Sequence, residues 1–344
     1  MAEIKKNTTE ENGSAHNTGK KNTSVKTENT ETGGAKEKGQ EPDAALSEKP
    51  SITDYYFKIL ASLEDVDPNT TKKAIMECIA FAMKKHEAIF ERYHVLIQFD
   101  ETIMTRVDAD NIYASLKYWQ PEGKKDILLV LYSFGGRIAS AYLISKLCRE
   151  FAAKKFLVAV PRQAKSAATL ICCGADEIHM GSLSELGPID PQINGLPALG
   201  LKNTIKQIAE TSSQYPSSNS LFAEYLAKTI KPIDLGYFDR IVESASQYAQ
   251  RLLGKRCQKL SPDKIKKLAD RLVYDYNDHG FVIDKGEAKE IFGADVIKID
   301  SPEYFFSNDV YSLLSTISSI CSKKYDFYFI GSCNLPSSVG LLKK

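Results

Sequence analysis

DILLVLYSFGGRIASAYLISKLCREFAAKKFLVAVPRQAKSAATLICCGADEIHMG (126–181) switches back and forth between two periodicities. DILLVLYS (126–133) is a continuous apolar run bounded by turn residues, the pattern of a strand buried on both faces. ASAYLISKLCREFAA (139–153) reads as a helix, KFLVAVP (155–161) as a strand, SAATLICCGA (166–175) as a helix and EIHMG (177–181) as a short strand. Strands alternating with helices predict a mainly parallel sheet joined by crossover helices. In such sheets, sites lie beyond the carboxyl ends of the strands. YSFGGR and PRQAKS both fall at those ends.

Outward from this stretch the same logic continues. HVLIQFD (94–100) predicts a strand and DADNIYASLKYW (108–119) a helix. Upstream, SITDYYFKILASL to AIMECIAFAMKKHEAIFERY is helical, with Ile75, Ile79, Ala82 and Met83 on one face, so residues 51–93 form a helical lead-in to a core at 94–200. Residues 1–50 carry no aromatic and cannot bury enough apolar surface to offset their ordering entropy, which predicts a disordered tail. Residues 201–304 are mostly helical and end in NDHGFVIDKGEAKEIFGADVIKI, a loop, a short helix and a strand. Residues 305–344 are expected to be a C-terminal extension with one strand and little else.

Composition narrows the function classes. A formal net charge of +1 argues against a surface built for nucleic acid or an anionic membrane. No apolar run reaches the roughly 18 residues of a membrane span, and MAEIKKNTTEENG has no apolar core of a secretory signal. Cysteines at 78, 148, 172, 173, 257, 321 and 333 show no CxxC spacing and read as reduced core thiols of a cytoplasmic protein, with no metal site and no cofactor expected.

The chemistry converges on Ser166. A serine in the first turn of a helix has unpaired backbone N–H groups beside it and the positive end of the helix dipole. Ala167 N–H could be one donor to a developing oxyanion, and the Gly135-Gly136 pair ending the neighbouring strand could present a second. A plain N-cap serine has the same local pattern. Asp190, in GPIDP, is either an acid partner or the side chain fixing a proline-bounded loop. Among five histidines, His16 falls in the tail, His86 on the lead-in, and His94 and His179 on strands. His279, in YNDHGFV, lies on a loop that can present it to a cleft, or in a simple Asp-His turn with Asp278.

LLVLYSFGGRIASAYLISKLCREF followed by VAVPRQAKSAATLICCGADEIHMGSLSELGPIDPQI resembles the serine dehydrogenase proteinase family, a distant branch of the Clp-protease and crotonase superfamily. The Gly-Gly after a strand, the serine opening a helix that runs into ADEI, and the LGPIDPQ loop stand in the family's order and spacing. The likeness covers roughly residues 94–300. It implies a spiral of β-β-α units with a mainly parallel sheet, a helical C-terminal region, and a serine peptidase acting on peptides or unfolded chains. It further implies Ser166 as nucleophile, Asp190 as orienting acid and His279 as base, in a homo-oligomer built partly through residues 201–272. Ala167-Ala168 stand where relatives often have two glycines, and Phe134 replaces a proline. Competing readings are a Ser–Lys dyad like that of signal peptide peptidase A, with Lys202 or Lys206 as base, a crotonase-like acyl-coenzyme-A enzyme, and an inactive Clp-like scaffold. Lys202 and Lys206 sit on an amphipathic helix where little would desolvate them, and Ser166 with the GPIDPQ loop speaks against the crotonase chemistry.

Overall fold

The computed structural model describes residues 50–119, 123–193, 196–229, 232–256 and 260–344. The expected tail, as far as residue 49, and Cys257 lie outside the described residues.

Two helices, α1 (Ile52–Ser62) and α2 (Pro68–Met83), open the fold, and the short α3 (Glu87–Arg92) leads into β1 (Tyr93–Asp100). The alternating region follows as α4 (Arg106–Trp119), β2 (Asp126–Ser133), α5 (Ile138–Phe151), β3 (Phe156–Ala159), β4 (Gln163–Ala164), α6 (Ala167–Cys173), β5 (Glu177–Met180) and β6 (Glu185–Leu186). A small hairpin, β7 (Gln192–Ile193) and β8 (Leu196–Pro197), turns the chain into α7 (Ala198–Gln214), α8 (Asn219–Thr229), α9 (Pro232–Arg256) and α10 (Pro262–Tyr274). The chain then returns to the sheet through α11 (Lys285–Phe292), β9 (Ile297–Ile299), α12 (Pro302–Cys321), β10 (Tyr325–Ser332) and β11 (Val339–Lys343).

The main sheet runs β11-β10-β1-β2-β3-β5-β9, with β4 bridging β2 and β6. From β1 to β9 the pairings are parallel, as the helix-strand alternation predicts; β10 and β11 pair antiparallel. Period-two alternation along β2 explains its continuous apolar run. Ile127, Leu129 and Leu131 join a core with residues of α4, α5, α6, α9 and α10, among them Ile112, Ile144, Leu170 and Leu252. Leu128, Val130 and Tyr132 face the opposite core, built with Ile59, Ile75 and Ile79 of the lead-in and Ile317 of α12. A strand covered on both faces has no solvent side to spend polar residues on.

Residues 305–344 depart from the sequence reading. They begin inside α12, a 20-residue helix that reading did not assign, and contribute two strands rather than one. The helix has clear local causes. Ser301 caps it by accepting from Tyr304 N–H, Pro302 occupies the first turn, and Phe306, Val310, Leu314, Ile317 and Cys321 recur on one buried face. β10 pairs directly with β1, Leu96 opposite Ser332, so the sheet is completed by this segment.

The strand histidines are structural. His179 is buried, with Nδ1 2.7 Å from Ser301 Oγ and the carboxylates of Glu177 and Glu303 each at 3.6 Å. Burial holds its pKa below the ordinary histidine value despite those two acids. His94 stacks on Trp119 with ring centroids 4.6 Å apart, and its Nε2 lies 3.0 Å from Gly123 O. The thiols of Cys78, Cys148, Cys172 and Cys321 are free and buried, Cys173 is buried, and Cys333 is free and half-buried.

Candidate active site

At the carboxyl end of β2 the chain turns sharply through Gly135 and Gly136 into α5. Gly135 has φ +99°, and a Cβ there would lie 2.6 Å from Lys165 O and 3.0 Å from both Ser166 Cβ and Ala167 N. Glycine is required because the strand end lies directly against the first turn of α6. Ser133 Oγ accepts from Gly135 N–H at 3.1 Å, so that donor is already used. Gly136 sits opposite Met104 in a parallel bridge, in which Met104 bonds Gly135 O and Arg137 N–H. Gly136's own N–H therefore points away from Met104.

Ser166 stands between β4 and α6 with φ 51° and ψ −117°, and its side chain makes no capping hydrogen bond. A non-glycine residue there carries strain of about 1–3 kcal/mol and persists only where its surroundings over-determine it. Those constraints are visible: Lys165 N–H donates to Ser133 O at 3.0 Å and Ala168 N–H to Lys165 O at 2.8 Å. A strained strand-to-helix turn is a known way of holding a serine hydroxyl clear of the sheet. Ser166 therefore occupies the cap position without capping.

Asp190 is buried at 5% exposure in a loop pinned by Ile189 N–H to Leu272 O at 2.8 Å. Its Oδ2 lies 3.5 Å from His279 Nδ1, a charge contact slightly longer than a hydrogen bond, and Oδ1 has no partner. Beyond it, Asp278 Oδ1 accepts from Gly280 N–H at 3.0 Å. The Asp-His turn is therefore real, but it is Asp278 that shapes it, leaving the His279 ring free to face Asp190. Ser166 and His279 line one cleft of about 900 Å³, together with Phe134, Gly135, Gly136 and Gln192. Phe134 is half exposed, with its ring 6.1 Å from that of Tyr132, while Ala167 and Ala168 are fully buried. Ser166, His279, Gly135 and Gly136 thus line the cleft, while Asp190 lies against His279 and Ala167 against Gly135.

The lysines named in the sequence fare differently. Lys206 is exposed on α7 and lies 3.9 Å from Glu210; the Lys202 side chain is outside the described residues. A lysine that sequence reading passed over, Lys165, is buried beside Ser166. Among the described residues no cluster of histidine, cysteine, aspartate or glutamate could hold a metal ion, and no helix is long and apolar enough to cross a membrane.

Comparison with known proteins yields a family model described as ClpP-like SDH-type serine proteinase, which matches residues 101–334. Two uncharacterized proteins of Methanocaldococcus jannaschii are similar. One is 28% identical over 172 residues, 50% of this chain and 54% of that protein; the other is 24% identical over 188 residues, 55% of this chain and 57% of that one. The chain spans about half the length of these curated relatives. Two solved structures are also similar, both mutants of the 1510-N membrane-bound stomatin-specific protease, the second in complex with a substrate peptide. Each is 14% identical; they cover 65% and 63% of this chain and 84% and 80% of theirs, with TM-scores of 0.38 and 0.39.

Proposed function

The chain belongs to the ClpP-like SDH-type serine proteinases, and from that premise we propose that it hydrolyses peptide bonds through an acyl-enzyme on Ser166. The reading rests above all on one observation: a strained, uncapped serine shares a cleft with a histidine whose Nδ1 faces a buried carboxylate. With Nδ1 turned to Asp190, Nε2 is the nitrogen left to take the Ser166 proton. As it does, Oγ bonds to the scissile carbonyl carbon and the carbonyl π-electrons move onto oxygen. Ala167 N–H, an orphan donor of the first turn of α6, and Gly136 N–H stabilise that oxyanion. The C–N bond then breaks, its electron pair leaving on nitrogen, which His279 protonates. Water deprotonated by the same imidazole hydrolyses the ester and restores Ser166. Asp190 holds the ring tautomer and stabilises the imidazolium.

Substrates in this proposal are peptides or unfolded chains, which an open cleft of this size accepts in extended form. Free, buried thiols favour the cytosol as the compartment. The direct test is labelling by a serine-reactive fluorophosphonate, followed by mass spectrometry of the adduct. The tag is expected on Ser166; a protein that stays unlabelled while folded would favour the scaffold reading.

The proposal includes a homo-oligomer assembled through the helical region. Leu221, Tyr225 and Tyr237 on α8 and α9 are 66%, 61% and 58% exposed, a density of large apolar groups that a partner surface would cover. Light scattering is expected to give a mass of at least two chains, and a monomer across the micromolar range would refute it.

A further inference from the structure

Lys165 precedes Ser166, yet its side chain turns away from the cleft into the protein, where the residue is only 8% exposed. Its ammonium meets three acceptors on two separate segments: Leu186 O at 3.4 Å, Phe281 O at 3.2 Å and the Glu185 carboxylate at 3.2 Å. Leu186 lies at the start of the loop that carries Asp190. Phe281 lies two residues beyond His279. The same two segments are stitched by reciprocal backbone bonds, Leu186 N–H to Ile283 O at 2.9 Å and Ile283 N–H to Leu186 O at 3.0 Å. Thr169, one turn into α6, ties the acid loop again by donating to Gly187 O at 2.7 Å and accepting from Gly187 N–H at 3.1 Å.

Gly187 shows how closely the lysine is fitted. A Cβ there would lie 2.6 Å from Lys165 Cδ, so the aliphatic stem occupies the space any larger residue would need. Held by two carbonyl oxygens and paired with the Glu185 carboxylate, the ammonium has no lone pair to offer Ser166 and is not a base. One side chain, rooted beside the nucleophile, thus fastens the segment bearing the acid to the segment bearing the base.

We propose that Lys165 is a positioning residue for the reaction, setting the separation of Asp190 and His279 from Ser166 through the Leu186 and Phe281 carbonyls. The inference rests on the triad reading above. A displacement of about 1 Å in such a site can cost on the order of 10²-fold in rate. Lys165→Met keeps the stem and removes the three contacts. It is expected to lower kcat and the fluorophosphonate labelling rate about 10- to 100-fold with KM changed less than about threefold. In a His279→Ala background the same substitution should change the residual rate less than about twofold, because the group it positions is gone. Equal losses in both backgrounds, or a rise in KM alone, would overturn the assignment. Gly187→Ala, which displaces the stem without removing the charge, should reproduce the kcat loss if Lys165→Met fails to fold. Hydrogen exchange separates this inference from the triad reading: the Ile283 amide should exchange faster in Lys165→Met whether or not the wild type labels. Unchanged exchange there would refute the staple, and an unlabelled wild type would refute the triad alone.

Discussion

Ser166→Ala and Ser166→Gly are both expected to abolish peptide hydrolysis, with kcat falling by a factor on the order of 10⁶, yet to differ from each other in stability. The first effect follows from removing the nucleophile on which the acyl-enzyme route depends. The second follows from the backbone. Alanine retains a Cβ and therefore the strain of φ 51°, whereas glycine adopts that conformation freely. Relief of about 1–3 kcal/mol, less about 0.5–1 kcal/mol for the greater freedom of unfolded glycine, leaves Ser166→Gly more stable than the wild type by about 1 kcal/mol. Thermal melts of the three proteins decide it. A glycine variant melting below the wild type would mean that Ser166 is not strained.

Asp190→Asn is expected to cost on the order of 10³ to 10⁴ in kcat while the protein stays folded, and His279→Ala at least as much. The asparagine fills the same buried space, so its effect isolates the charge and the tautomer control from the packing. An amide presents a donor as readily as an acceptor to Nδ1, which lets the ring settle with its proton on the nitrogen that should receive one from Ser166. Lys206→Ala, on the exposed face of α7, should leave turnover within about twofold. If steady-state kinetics gave the opposite ranking, with Lys206 essential and His279 dispensable, the base would be a lysine.

Elements that were legible in the sequence share a property: each states its environment locally. β2 reads as doubly buried because seven of its eight residues are buried and its two faces enter two cores. The glycine pair was legible because the strand end abuts α6 with no room for a side chain at Gly135, whereas Ser166 stood out only as a cap residue, a role its side chain does not fill. α12 carried the same kind of signal in Ser301, Pro302 and its apolar spacing, but four serines between Pro302 and Ser319 dilute the helical stripe. Lys165 could not be read at all. Nothing near it distinguishes a surface lysine from a buried one, and its decisive acceptor, Phe281 O, lies 116 residues away along the chain. Local pattern yields the groups that react; the contact that spaces them exists only in three dimensions.

The antiparallel pairing of β10 with β1 also sets a timetable for synthesis. β1 is among the first strands to leave the ribosome, but the neighbour that covers its free edge, with Leu96 opposite Ser332, arrives only after every parallel strand has been made. Through that interval the nascent sheet presents a bare row of backbone donors and acceptors along an apolar strand, the geometry that invites pairing with another chain. A folding rate limited by this long-range closure rather than by the local helices is the expected consequence of a sheet whose interior strand β1 gains its second neighbour last.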